Sequence, residues 1–191
     1  MPESKPIQIL GISGSLRADS YNSAALRAAA GLMPDGTTMA TFDIGPIPLY
    51  NEDVRQEGLP EAVQALRERI RAADGVLFVT PEYNYSIPGV LKNAIDWASR
   101  PPEQPFEGKP IAIMGASPGV LGTARAQYHL RQCFVFMNGL VMNRPEVMIG
   151  QVGTKFDADG RLTDEGTAEH LRKFLVAFRD WIAFAQRARA G

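Results

Sequence analysis

Three short stretches hold most of the side chains that could do chemistry. The first, GISGSLRADSYN over residues 11–22, crowds Gly11, Ser13, Gly14, Ser15, Arg17, Ser20 and Asn22 together just ahead of a helix-forming run. Helix N-termini present amides without intrahelical partners and a partial positive charge, so an anion placed there gains several hydrogen bonds. Ser15, Ser20 and Asn22 can add side-chain donors, and Arg17 a charged fork. The alternative is that Ser20 only caps the helix and the glycines only turn the chain. Capping accounts for one serine, but not for three with an arginine, and the pattern points to an anion site. The second stretch, PEYNYSIP over 81–88, sets Tyr83 and Tyr85 between two prolines. Such tyrosines can wall a planar ring while Glu82, Asn84 and the loop amides meet its polar edge, the alternative being aromatic plugs in a tight loop. The third, GASPGVLGTA over 115–124, has glycines that let backbone approach a ligand, although glycines after a strand are also plain turn residues.

The elements around these stretches place them together. IQILGI (7–12), GVLFVT (75–80) and KPIAIMGA (109–116) are nearly continuous apolar runs, as in parallel strands covered on both faces. Helical stripes lie between and after them: Val63, Leu66, Ile70 and Ala73 in one, and Leu171, Phe174, Leu175, Phe178, Trp181, Ile182 and Ala185 in another. The order read is strand 7–12, helix 21–32, strand 37–43, helix 60–73, strand 75–80, helix 88–99, strand 109–115, helix 122–136, strand near 140–149, helix 164–189. Alternation of this kind predicts a doubly wound α/β sandwich over one domain, residues 1–191. In a five-stranded sheet of order 2-1-3-4-5 the loops after strands 1, 3 and 4 open onto one crevice. Those are the three stretches above.

Composition narrows the function. Twenty Lys and Arg against 21 Asp and Glu leave a net charge of −1, with no general field for nucleic acid or anionic lipid. One cysteine, Cys133, and two histidines, His129 and His170, form no zinc spacing, and no metal is expected. Cys133 in HLRQCFVF reads as a small apolar residue on a helix. No apolar run approaches the ~20 residues of a membrane span, and MPESKPIQILGIS has no secretory leader pattern, so a cytoplasmic location is expected.

The dinucleotide fingerprint G-x-G-x-x-G is missing, with hydroxyls standing in place of glycines, which favours a terminal monophosphate over a bridging pyrophosphate. G-x-x-x-x-G-K-[ST] is absent, GISGS fails the nucleophile elbow at its last position, and Cys133 is followed five residues later by Asn138 rather than arginine. ATPase and hydrolase readings fall away. A monophosphate at one end and a flat ring with hydrogen-bonding edges at the other describe flavin mononucleotide (FMN).

GSLRADSYN, PEYNYSIPGVLKNAIDW and GASPGVLGTARAQYHLR closely resemble the NAD(P)H-dependent FMN reductase family, in particular its chromate and quinone reductase branch, over nearly the whole chain. The resemblance implies a flavodoxin-like three-layer sandwich and a tightly held FMN. It further implies hydride transfer from NADH or NADPH, and passage of electrons to quinones, chromate, ferric chelates or azo compounds. Carried over residue by residue, Ser15, Arg17, Ser20 and Asn22 would hold the phosphate, with Leu16 beside them. Pro81, Glu82, Tyr83, Asn84 and Tyr85 would border the isoalloxazine, with Ser117 and Gly119 next to it. Homodimers or homotetramers are implied, a neighbouring subunit partly roofing the site. No catalytic side chain is expected, because the flavin carries the chemistry. Neither histidine is expected near the loops, Tyr85 is expected to shape acceptor access, and the kinetics to be ping-pong. Arg125, Tyr128 and Glu146 read as a polar subunit contact near the site or, equally, as plain surface residues. The rival reading is a flavodoxin-type electron carrier, against which a net charge of −1 argues, since such carriers dock through acidic surfaces.

Overall fold

The computed structural model describes residues 5–190. In chain order the elements are β1 (Ile7–Ser13), α1 (Tyr21–Gly31), β2 (Thr37–Phe42), α2 (Glu52–Glu57), α3 (Glu61–Ala72), β3 (Gly75–Val79), α4 (Gly89–Ala98), β4 (Pro110–Ala116), α5 (Ala124–Cys133), β5 (Leu140–Val141), β6 (Val147–Ile149) and α6 (Glu165–Ala190). The strands form one parallel sheet in the order β2-β1-β3-β4-β5, and β6 also pairs with β4. This is the expected flavodoxin-like topology with a sixth strand.

The period of two along each strand sorts its side chains onto the two faces. Ile9, Leu77, Val79, Ala112 and Met114 pack with α1 and α6, while Leu10, Ile12, Val76, Phe78, Ile111 and Ile113 pack with α3, α4 and the end of α5. β3 and β4 are buried along their whole lengths, which explains their unbroken apolar sequences. Ser13 lies opposite Val79, and Val79 opposite Met114, so the carboxyl ends of β1, β3 and β4 are nearly level.

Three features depart from the sequence reading. The strand expected near 140–149 is split: β5 pairs with Pro110 and Ile111 of β4, and β6 pairs with Met114 to Ala116. Between them stands Pro145, which has no amide to give to a ladder. The helix α2 was not expected at all, because none of its six residues is buried and no apolar stripe announces it. In addition α5 ends at Cys133 rather than at 136, leaving Phe136 98% exposed. Among the described residues no helix is long and apolar enough to cross a membrane.

Gly122 fixes the entry into α5. Its φ is +53°, and a Cβ there would collide with the backbone carbon of Met148 in β6. Gly122→Ala is therefore expected to lower stability by about 2–4 kcal/mol, from left-handed strain plus overpacking. Urea unfolding followed by circular dichroism measures this, and an unchanged midpoint would contradict the packing described.

Candidate functional site

The three loops are tied to one another by backbone and buried side-chain bonds. The amide of Gly14 donates to the Val79 carbonyl at 2.8 Å, extending the β1–β3 ladder into the first loop. A Cβ on Gly14 would meet Leu91 at 2.9 Å and Pro81 at 3.2 Å, so loops one and two lean directly together. Asn22 links loops one and three: its Nδ2 donates to the Ala116 carbonyl at 3.0 Å, and its Oδ1 accepts from the Ala116 amide at 2.9 Å. Glu82 of the second loop reaches the first turn of α5.

In the first loop Ser20 caps α1, its hydroxyl oxygen accepting from the amides of Asn22 at 3.1 Å and Ser23 at 3.4 Å. The hydroxyl hydrogen is still free to be given to a ligand. Ser13 accepts from the Ser15 amide, and Ser15 from the Arg17 amide, each at 3.3 Å, which bends 13–17 into a tight arc. Among the described residues nothing accepts from the amides of Leu16 or Ala18, and no carboxylate pairs with Arg17. Asn22 does more than the sequence suggested: one Nδ2 hydrogen and Oδ1 are engaged by Ala116, so its buried amide is a strut between loops with one Nδ2 hydrogen left over.

The second loop is a tight reversal. Tyr83 and Ser86 exchange two backbone bonds of 3.0 Å, and Asn84 and Tyr85 between them have φ of 49° and 68°. This is the positive-φ pair of a type I′ turn, a place for Asn-Gly. A tyrosine held there costs on the order of 1–2 kcal/mol relative to glycine. Both rings are exposed, Tyr83 by 52% and Tyr85 by 67%, and the Arg125 guanidinium lies 3.6 Å from the Tyr85 ring centroid. Glu82 needs a correction: its carboxylate accepts from the amides of Arg125 and Ala126 and from Arg125 Nε, so it faces α5, not a ligand edge. The expectation that no histidine comes near is also corrected, since His129 Nδ1 is 3.0 Å from Ser86 Oγ.

In the third loop the Ser117 amide donates to Ile149 at 2.9 Å, and its hydroxyl to the Gly119 carbonyl at 3.3 Å. Around Gly119 a Cβ would meet only Ser117 Oγ, at 3.8 Å, and its φ is not positive. Neither packing nor backbone strain requires glycine there. Of the residues read as a subunit contact, Arg125 is engaged within its own chain, Tyr128 is 49% exposed, and Glu146 accepts from His170 through its backbone carbonyl at 2.7 Å if Nε2 carries the proton.

A fourth loop, 43–51 after β2, was missed. A Cβ on Gly45 would lie 3.6 Å from Leu16. The Pro48 carbonyl accepts from Asn93 at 2.8 Å and from Trp97 Nε1 at 2.9 Å, and Leu49 beyond it is 84% exposed. The signal was available, because GPIPLYN has two prolines followed by an aromatic residue just beyond a strand end.

Large apolar or aromatic side chains on all three loops stand exposed: Leu16, Tyr83, Tyr85, Val120 and Leu121. A concavity of about 510 Å³ lies elsewhere, between α1 and the start of α6 under Arg27, Arg161 and Arg172. Among the described residues no group of three or more His, Cys, Asp or Glu side chains is placed to hold a metal ion. Unpartnered amides and an unpaired arginine in one loop, exposed tyrosines in the next and an unfilled Cβ position at Gly119 fit a phosphorylated planar ligand such as FMN.

A family model described as NADPH-dependent FMN reductase matches residues 7–154. An NAD(P)H-dependent FMN reductase of Pseudomonas aeruginosa is 61% identical over 179 residues, covering 94% of this chain and 97% of that protein. A quinone reductase of Escherichia coli is 50% identical over 182 residues, again covering 94% and 97%. Among solved structures, the flavoenzyme NAD(P)H:(acceptor) oxidoreductase FerB from Paracoccus denitrificans superposes with a TM-score of 0.86 at 41% identity, covering 94% of this chain and 98% of that one.

Asn22→Leu removes both bonds to Ala116 and leaves a buried amide and carbonyl unpaired. The expected loss is about 2–4 kcal/mol, two groups at roughly 1–3 each after partial relaxation. Chemical denaturation reads it, and a loss under about 0.5 kcal/mol would remove the strut from the account.

Proposed function

Because the chain belongs to the NADPH-dependent FMN reductase family, we propose that the surface made by its three loops holds FMN, draws electrons from NADH or NADPH and delivers them to quinones. The observation that carries this reading is the mutual pinning of the loops, through Gly14 and Val79, Asn22 and Ala116, and Glu82 and α5. When bound, FMN supplies the hydride chemistry, accepting two electrons from a nicotinamide and giving them up to an oxidant.

The rest is the protein's work. The unpartnered amides of the first loop and the Arg17 fork hold the phosphate dianion, with the hydroxyls of Ser15 and Ser20 adding donors and Leu16 covering one side. Pro81 and the backbone of Glu82, with Tyr83, Asn84 and Tyr85, border the ring on one side, and Ser117 and Gly119 on the other. Donor amides aimed at a ring edge favour negative charge there by fixed electrostatics, without a proton-transferring side chain. A surface this exposed admits flat or small oxidants of several kinds, and we extend the acceptors to chromate, ferric chelates and azo compounds. Nicotinamide and acceptor use the same open face in turn. A homodimer or homotetramer, with Tyr128 and Glu146 in the contact, would roof that face.

Arg17→Ala should weaken FMN binding by about 10- to 100-fold, the loss of a charged hydrogen bond worth roughly 1.5–3 kcal/mol. Titration of apoprotein by flavin fluorescence measures it, and unaltered affinity in a folded variant refutes the phosphate assignment. Steady-state rates with a quinone and NAD(P)H, without any added protein, are expected to give parallel double-reciprocal lines. Intersecting lines would rule out alternating use of one face.

A further inference from the structure

We propose that Glu82 is a positioning residue: its carboxylate caps α5 from a distant loop and, through Arg125, fixes where the Tyr85 ring stands. The consequence for acceptors rests on the FMN reading above, whereas the geometry does not.

The helix α5 begins without a cap of its own. It follows two left-handed residues, Gly122 and Thr123, and the Thr123 hydroxyl accepts from Gln127 Nε2 at 3.2 Å instead of serving the first turn. The first amides of a helix need an outside acceptor. Glu82, 43 residues before Arg125, supplies it: Oε2 accepts from the Arg125 amide at 3.0 Å and the Ala126 amide at 3.1 Å. Its other oxygen accepts from Arg125 Nε at 2.7 Å, and the side chain is only 10% exposed. A carboxylate in this place answers both the helix's positive end and a guanidinium.

Arg125 in turn lies against the Tyr85 ring, its Cζ 3.6 Å from the centroid. That ring is 67% exposed and sits on the strained turn, so no core packing holds it. Among the described residues the planar guanidinium is the one aromatic or cationic group packed on it. The chain of support runs from the α5 amides to Glu82, to Arg125, to Tyr85. Loss of the Glu82 charge frees the guanidinium to turn toward solvent and the ring to move, while the phosphate-holding loop is untouched.

The test uses apoprotein labelled with 3-fluorotyrosine, the Tyr85 resonance being the one lost in Tyr85→Phe. Glu82→Gln and Arg125→Lys are each expected to move that resonance toward the position of free fluorotyrosine, and the double variant to move it no further. In the loaded enzyme, Arg125→Lys should raise the quinone KM about fivefold with kcat held within about twofold. Its FMN dissociation constant should stay within about threefold of the parent's. An unmoved Tyr85 resonance in both folded single variants overturns the proposal, as do effects on KM that multiply in the double variant. Should Glu82→Gln fail to fold, Arg125→Lys alone decides through the same resonance. A shifted resonance in a protein that binds no FMN would sink the cofactor reading and leave this one standing.

Discussion

One buried side-chain amide, that of Asn22, joins the first turn of α1 to the last residue of β4, 94 positions away. Ala116 still faces Ile149 of β6, but it has run past the β3–β4 ladder, which ends at Val79 and Met114, and its amide and carbonyl would otherwise be buried without partners, which folded chains avoid. Satisfying them from α1 locks two loops in one relative position. The Gly14 bond to Val79, and that of Thr80 to Met114 at 2.9 Å, carry the sheet's own hydrogen bonding one residue further into the remaining loops. A binding surface made of irregular chain thereby inherits the rigidity of the parallel core beneath it.

On that base the loops divide the work by residue type. The first offers amides and one cation, Arg17, which no carboxylate pairs among the described residues. The second offers aromatic faces on a turn that holds two residues in left-handed backbone, and the third offers small residues that leave room. In the second loop the Glu82 carboxylate is held by α5, and the Ser86 hydroxyl lies 3.0 Å from His129 Nδ1. For chemistry that resides in a flavin this is sufficient, because the protein's share is to hold, orient and bias the charge of the ring.

Much of this was legible in the sequence, and the reasons are physical. Strands buried on both faces must be apolar throughout, so β1, β3 and β4 could be read directly, and once the strand order is 2-1-3-4-5 the position of the crevice follows from topology. What could not be read was which polar residues serve the ligand and which serve the chain. Asn22, Glu82 and Ser20 are all types that cap helices as readily as they bind anions, and only the fold shows that Asn22 faces Ala116 and Glu82 faces α5. His129 was invisible because α5 brings it back to Ser86 across 43 residues. The helix α2 and the break in the fifth strand escaped for opposite reasons: the helix buries nothing, and the strand's apolar residues continue on both sides of a proline that interrupts the ladder.

That interrupted strand also governs how copies of the chain can meet. An unbroken, flat margin of unpaired amides and carbonyls would be a template for strand addition by another chain, the route to fibrillar aggregates. Here the outer margin is only two residues long at β5 and three at β6, with Pro145 projecting between them. At this margin an incoming strand would find no register longer than three residues, whereas the opposite margin, β2, runs for six.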